Sequence, residues 1–165
     1  MTKQEFIDFC HEEFIVRGFK KKKNMYYLQG EDILCGLYLQ KSMAEAFYVE
    51  YSFYIGDYST CKKYPTRYEA DINMRIGILS KDTINGERFI GALIEYEQYT
   101  KEEIKIYFDK EFSEHILPII KEGKKRLIQD LDYFFDEMFE SEIHSLLDKL
   151  NNQGKTGDCS VSSPE

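Results

Sequence analysis

The sequence predicts an α+β fold with an N-terminal helix, an antiparallel sheet of about five strands, and C-terminal helices packed on the sheet. Two capping boxes, Thr2-Lys3-Gln4-Glu5 and Thr100-Lys101-Glu102-Glu103, mark the starts of two helical segments. Between them, residues 25–95 contain stretches in which apolar and polar side chains alternate, as in half-buried strands. We expect residues 1–150 to form one domain and the tail at 151–165, rich in Asn, Gly and Ser, to be disordered.

The first helix is expected to start at Thr2 and to end at Gly18, because glycine suits a left-handed helix terminus. Its predicted apolar stripe consists of Phe6, Ile7, Cys10, Phe14 and Ile15. Four lysines, Lys20 to Lys23, follow the helix. Two interpretations of them remain open: Lys20 and Lys22 grip phosphates or an acidic partner surface, or the lysines only offset the helix dipole.

Strands are predicted over residues 25–29, 33–41, 47–55, 71–79 and 87–95, with Asn85-Gly86 as a hairpin turn. The third of these alternates most regularly. Phe47, Val49, Tyr51, Phe53 and Ile55 share one face, while Tyr48, Glu50, Ser52 and Tyr54 share the other. The tyrosine-rich face is expected either to be open to solvent or to be covered by the C-terminal helices.

The second capping box predicts a helix that runs to about Lys121 and is kinked or broken at Pro118. Gly123 separates it from a helix over residues 124–138, and a last helix covers residues 141–150. The net charge of the chain is −8. Residues 1–94 hold 13 acidic and 13 basic side chains, whereas residues 95–150 hold 15 acidic and 8 basic ones. This acidity favours a basic protein as partner and disfavours nucleic acid, although acidic helix faces also serve solubility alone.

The chain begins without an apolar leader and contains no apolar run long enough to span a membrane. We therefore expect a cytoplasmic protein with no membrane partner, and the oligomeric state stays open. No nucleotide-binding or metal-binding motif is present, so no cofactor is predicted. His115 and His144 each follow a glutamate by four residues, one more than di-metal carboxylate sites use. Cys10 and His11 are adjacent on a helix and point about 100° apart, which disfavours a nucleophile–base pair.

Two groups of side chains are candidate binding residues. Gln40, Lys41 and Arg75 form a polar patch for a carboxylate or phosphate if their strands are neighbours, the alternative being a structural ion pair of Arg75. The loop at 57–70 carries Tyr58, Tyr64, Arg67 and Tyr68, and Tyr and Arg are the residue types that anchor protein interfaces. The alternative for this loop is a mobile connection with solubilising lysines.

Three segments in this order resemble the bacterial domain-of-unknown-function family 4304. They are Gly18-Phe19-Lys20-Lys21-Lys22 leading to Tyr26-Tyr27, Gln40-Lys41-Ser42 ahead of the strand at 47–55 and Gly56, and Arg75-Ile76-Gly77 with Leu79. The resemblance covers residues 5–95 closely and the C-terminal helices loosely. Lys23 stands where the family often has glycine, and Asn73-Met74 stands where it commonly has an aromatic residue, usually Trp. The resemblance implies a compact α+β domain and no particular reaction.

The leading hypothesis is therefore a small bacterial protein that binds another protein without catalysis. Its concrete form is an immunity protein that neutralises a toxin by covering a basic cleft. The second hypothesis is a small-ligand-binding domain with a polar pocket around Gln40, Lys41 and Arg75. The third is an enzyme of unknown reaction, for which no catalytic residue is predicted.

Overall fold

The computed structural model describes residues 1–136 and 138–152. An N-terminal helix, a five-stranded antiparallel sheet and C-terminal helices confirm the predicted α+β class. The elements are α1 (Lys3–Val16), β1 (Lys20–Lys22), β2 (Met25–Gln29), β3 (Ile33–Lys41), β4 (Phe47–Ile55), β5 (Ile72–Arg75), β6 (Ile78–Ile84), β7 (Glu87–Gly91), α2 (Lys101–Glu111), α3 (Leu117–Glu122), α4 (Lys124–Gln129), α5 (Leu131–Phe135) and α6 (Glu140–Asn151). The tail that was predicted to be disordered lies, from residue 153 onward, outside the described part of the chain.

Helix α1 begins and ends as predicted. Thr2 Oγ1 accepts the Glu5 N–H at 3.3 Å, and the Glu5 carboxylate accepts the Thr2 N–H at 2.7 Å. Gly18 has a φ of 93° just after the helix. The predicted stripe is wrong at Ile15, which is 43% exposed, and it omits Phe9, which is buried. The buried residues of α1 lie on both sides of Phe6 around the helix axis, so Phe9 falls within the buried face, whereas Ile15 lies on the side opposite Phe6.

The main sheet has the strand order β1-β2-β3-β4-β5 with every pair antiparallel. Its inner face packs against the helices through Val49, Tyr51 and Phe53, all fully buried. The lysines expected after α1 form the edge strand β1, which pairs Lys20 with Tyr27 and Lys22 with Met25. Lysine has a low strand propensity, so the pairing with β2 decides this conformation. Charged side chains on an edge strand also oppose pairing with another chain.

The prediction of one strand over residues 71–79 is wrong. β5 ends at Arg75, and β6 leaves the main sheet to form a separate two-stranded hairpin with β7. Gly77 lies at this change of partner, and the side chain of Ile90 occupies the space that a Cβ would need there. The hairpin turn at Asn85-Gly86 is confirmed by φ angles of 53° and 81°. β7 ends at Gly91, four residues earlier than expected.

The C-terminal helices are more broken than predicted. α2 passes into a π-helical turn, Phe112–Ile116, before α3 begins, because Pro118 has no N–H to continue the hydrogen-bond ladder. Gly123, with a φ of 68°, separates α3 from α4 as predicted. The helix expected over residues 124–138 consists of α4 and α5, which meet at Asp130 with φ −98° and ψ 8°. α6 begins one residue before the predicted start.

The outer face of the main sheet is covered in part by the loop at 57–70, not by the C-terminal helices. Under this loop lies a second cluster of buried residues: Met25, Tyr27, Leu34 and Tyr54. Tyr58 and Tyr64 pack on that cluster from the loop. The Tyr64 ring lies 4.9 Å from the Tyr27 ring, and the Tyr27 hydroxyl donates to the Pro65 carbonyl at 2.6 Å. Elsewhere on this face, the side chains of Asn73 and Arg75 are exposed in the described part of the structure.

Replacing Lys23 by glycine is expected to raise the free energy of unfolding by about 1 kcal/mol. Lys23 has a φ of 58° at the first of two residues that join β1 to β2, a position at which a Cβ is strained. Lys23→Ala is the control, since it removes the charge and keeps the Cβ, and it should bring no gain. Urea unfolding of the variants measures the effect. An equal gain for alanine would show that charge, and not backbone conformation, limits stability at this turn.

Candidate functional site

Arg75 is the centre of the open part of the outer face. Its Nε and Nη2 atoms each lie 3.1 Å from Glu50 Oε1, and Nη2 also donates to Gln40 Oε1 at 3.1 Å. The guanidinium carbon stands 4.0 Å from the centroid of the Tyr48 ring. The register of β3, β4 and β5 produces this arrangement, because it places Gln40 opposite Tyr48 and Glu50 opposite Arg75. Arg75 is thus held in one orientation by its neighbours.

Arg67 reaches the same site from the loop at 57–70. Its Nη1 atom donates to Glu50 Oε2 at 2.9 Å, so one carboxylate joins two arginines. The Arg67 guanidinium lies 4.8 Å from the Tyr38 ring centroid and 4.9 Å from that of Tyr68. Tyr68 itself is 83% exposed. We call this set the arginine–tyrosine patch: Tyr38, Gln40, Tyr48, Glu50, Arg67, Tyr68 and Arg75.

Four of the predicted binding residues, Gln40, Arg67, Tyr68 and Arg75, come together in this patch. Lys41 does not join them, since strand alternation places it on the opposite face from Gln40. The lysines Lys20 and Lys22 lie on β1 at the far edge of the sheet, four strand spacings or about 19 Å from β5. Lys22 instead stands 4.0 Å above the Tyr64 ring. Tyr58 and Tyr64 are half-buried and support the loop.

The sequence did not predict three members of the patch as binding residues, namely Tyr38, Tyr48 and Glu50. The alternation in β4 already groups Tyr48 with Glu50, and this was the available signal. Which side chains meet across the sheet depends on register, and which arginine arrives from the loop depends on the path of that loop. Neither the strand register nor the path of the loop can be inferred from a local sequence pattern.

A groove with a volume of about 990 Å³ begins at Arg75 and Glu50 and runs between the sheet edge and the helices. We call it the helix–sheet groove. Among its other lining residues are Ile90, Lys110, Glu111, His115, Tyr133, Asp136 and Phe139. Of the pocket predicted around Gln40, Lys41 and Arg75, only Arg75 lines this groove. The patch and the groove therefore form one continuous face.

Glu111 lies in the groove and is bound by two tyrosines. Its Oε1 atom accepts hydrogen bonds from the hydroxyl groups of Tyr51 at 2.6 Å and Tyr133 at 3.0 Å. Burial, and then the negative charge of Glu111, raises the pKa of both phenols well above their usual range, so both remain donors. His115 stacks on Tyr133 with ring centroids 3.7 Å apart, and its Nδ1 atom is buried with no hydrogen-bond partner among the described residues.

The other candidate groups do not form a reactive site. Cys10 is fully buried, and burial raises the pKa of its thiol, while His11 bonds the Tyr26 hydroxyl at 3.1 Å. His144 is exposed and lies 3.8 Å from Glu140. In residues 1–136 and 138–152, no three His, Cys, Asp or Glu side chains are grouped so that they could hold a metal ion. No helix in this part of the chain has the length and apolar composition of a membrane span.

A family model described as "Domain of unknown function (DUF4304)" matches residues 10–122. The chain belongs to this family. The match reaches from α1 to α3 and so extends past residue 95, the limit of the close resemblance noted in the sequence. No significant match to a curated protein or to a solved structure was found. The DUF4304 match contains the whole arginine–tyrosine patch, whereas the groove residues Tyr133, Asp136 and Phe139 lie outside it.

Proposed function

We propose that this protein is a non-catalytic binding domain that docks a basic partner protein on the face formed by the arginine–tyrosine patch and the helix–sheet groove. The proposal depends on one observation: Arg67 and Arg75 are hydrogen-bonded to Glu50 and stacked on tyrosine rings beside large exposed side chains such as that of Tyr68. Interfaces are enriched in Tyr and Arg, and side chains that are already ordered lose little entropy on binding. In its finer form, the proposal is a cytoplasmic bacterial immunity protein that covers the basic cleft of a toxin.

Exposed apolar side chains support this face as the contact surface. Tyr68 at the patch is 83% exposed, and Phe139 and Ile90 at the groove are 77% and 62% exposed. Such residues scattered singly are ordinary on a protein surface. Here Ile90 and Phe139 line one groove and Tyr68 lies on the adjoining arginine–tyrosine patch, which is an arrangement of hydrophobic anchors around a recognition site.

The charge of the helical half supports a basic partner. Asp132 and Asp136 lie four residues apart, are exposed, and form no ion pair among the described residues. Asp130 differs from them because its carboxylate accepts from Arg126 at 2.8 Å. Unpaired surface carboxylates attract a positively charged protein and raise its association rate.

Reversing the charges of Asp132 and Asp136 to lysine is expected to weaken partner binding about tenfold to a hundredfold, mainly through the association rate. To measure this, the tagged protein is used to capture its partner from native lysate at low salt, and the partner is identified by mass spectrometry. The affinity of the purified pair is then measured for each variant. High salt should release the partner. Asp8→Lys with Glu12→Lys on α1 is the control, since these acidic residues are also exposed and four apart. Unchanged affinity, or an equal loss in the control, contradicts the proposal.

A second candidate function is the binding of a small ligand in the helix–sheet groove. Its volume of about 990 Å³ is in the range of small-molecule sites. Arg75 at its rim binds Glu50 and Gln40 through Nε and Nη2, and its remaining N–H groups suit a carboxylate or phosphate. A thermal-shift screen with metabolites tests this function. A ligand that stabilises the protein, and whose effect is lost in Arg75→Ala, would favour this candidate over protein binding.

A further inference from the structure

Glu111 is a carboxylate whose charge is not neutralised by any described residue. It belongs to none of the ion pairs within 4.0 Å in residues 1–136 and 138–152. Two cations line the same groove: Arg75 binds Glu50 and Gln40, and Lys110 forms no ion pair with Glu111 within 4.0 Å. A half-buried carboxylate without a counter-charge is costly, and a cation that enters the groove would remove this cost.

The hydrogen bonds of Glu111 leave room for such a cation. Both bound tyrosines donate to Oε1, and Oε2 receives only the longer contact of 3.2 Å from Tyr133. A carboxylate offers about four acceptor positions, so Oε2 keeps capacity for a further donor. Tyr51 is buried and reaches Glu111 from the sheet, which fixes the carboxylate at the floor of the groove.

The surroundings of Glu111 suit a flat cation with an apolar stem. The Tyr133 ring is 41% exposed and is stacked in parallel on His115, so it forms a rigid aromatic wall beside the carboxylate. A guanidinium group stacks on aromatic rings and donates in its own plane, whereas an ammonium group is compact and strongly hydrated. Ile90 and Phe139 offer exposed apolar surface for the methylene stem of an arginine.

We infer that the helix–sheet groove binds a single arginine side chain, with its guanidinium group on Glu111 and against the Tyr133 ring. The inference rests on the proposed function in that the arginine belongs to the partner protein. Arg75 and Lys110 also line the groove, and their positive charges disfavour a run of basic residues at this place. The site therefore selects one inserted arginine, whereas Asp132 and Asp136 attract any positively charged surface.

The test uses N-acetyl-arginine methylamide as the probe and the full chain labelled with ¹⁵N. We expect saturable shifts of the amide signals of residues 107–115 and 131–136, with a dissociation constant in the millimolar range that is usual for so small a ligand. The neutral citrulline analogue should bind at least tenfold more weakly, and the lysine analogue severalfold more weakly. Equal binding of the citrulline analogue, or shifts confined to other residues, overturns the inference.

Glu111→Gln keeps an acceptor for both tyrosines and removes the charge, so it should weaken arginine binding at least tenfold. Lys110→Gln is the matched control one residue away, and it should leave the affinity unchanged or raise it about twofold. Equal losses in the two variants overturn the inference. If Glu111→Gln does not fold, Tyr133→Leu tests the same site through the aromatic wall and should also weaken binding about tenfold.

The failure of this inference and the failure of the proposed function give different results. If a partner is captured in a manner that depends on Asp132 and Asp136 but the arginine probe does not bind, the arginine site is wrong and the docking face stands. If the probe binds through Glu111 but no variant of the face alters capture, the arginine site stands and the proposed function is wrong.

Discussion

Replacing Phe134 by alanine is expected to lower the free energy of unfolding by about 3 to 5 kcal/mol. Phe134 is fully buried, and its ring packs edge-on against Phe53 of the sheet with centroids 6.0 Å apart. It is the buried residue of α5, a helix of five residues that is too short to be stable without tertiary contacts. The truncation leaves a cavity between α5 and the sheet, and it also releases Tyr133 from its place beside Glu111.

Phe139→Ala is the matched variant for this prediction, since it makes the same substitution five residues later. Phe139 is 77% exposed, so its truncation should change the free energy of unfolding by no more than about 0.5 kcal/mol. It lines the groove, and its loss should weaken partner binding about tenfold. Urea unfolding and an affinity measurement on both variants separate the two roles. A loss below about 1 kcal/mol for Phe134→Ala would show that other contacts hold α5.

Replacing Gly123 by alanine is expected to cost about 4 kcal/mol of unfolding free energy, as the sum of backbone strain, overpacking and a lost helix cap. Gly123 has φ 68° and ψ −151°, a conformation that essentially only glycine adopts. A Cβ at this position would collide with the carboxylate of Asp32, whose Oδ1 atom accepts the Lys124 N–H at 3.0 Å and caps α4 from the turn between β2 and β3. The substitution therefore separates the helices from the sheet at this junction.

Gly86→Ala is the control for backbone conformation alone. Gly86 also has a positive φ, 81°, but among the described residues no atom beyond its two chain neighbours lies within 4 Å of the place where its Cβ would stand. The expected cost is about 1 to 2 kcal/mol, from the left-handed conformation only. Thermal and urea unfolding of the two variants measure the difference. Equal costs would show that the contact between Asp32 and Gly123 contributes nothing to stability.

The sequence predicted several residues of the candidate site, but it did not predict which side chains contact one another there. The sequence grouped Gln40 and Arg75 in one candidate polar patch on the condition that their strands are neighbours, and the loop composition indicated Arg67 and Tyr68. That Glu50 joins both arginines follows from the strand register and from the path of the loop. Glu111 and His115 were considered only as a metal pair, because the hydrogen bonds of Glu111 to two tyrosines and the stacking of His115 on Tyr133 cannot be inferred from helical spacing.

The features that depend on neighbouring residues follow from the sequence alone. The bounds of β2, β3 and β4, the two capping boxes, the Asn85-Gly86 turn and the end of α3 at Gly123 are all as predicted. Each follows from side-chain alternation, a local hydrogen bond or a glycine conformation, and these act over a few residues.

The partners with which these elements pair depend instead on tertiary contacts. The lysines of β1 form a strand because β2 lies beside them, and the segment after Arg75 changes sheets although its alternation continues without a break. The helical segment after Gly123 divides in two, and α5 is held by its packing on Phe53. In each case the deciding free energy comes from contacts between residues distant in the chain, which local sequence patterns do not record.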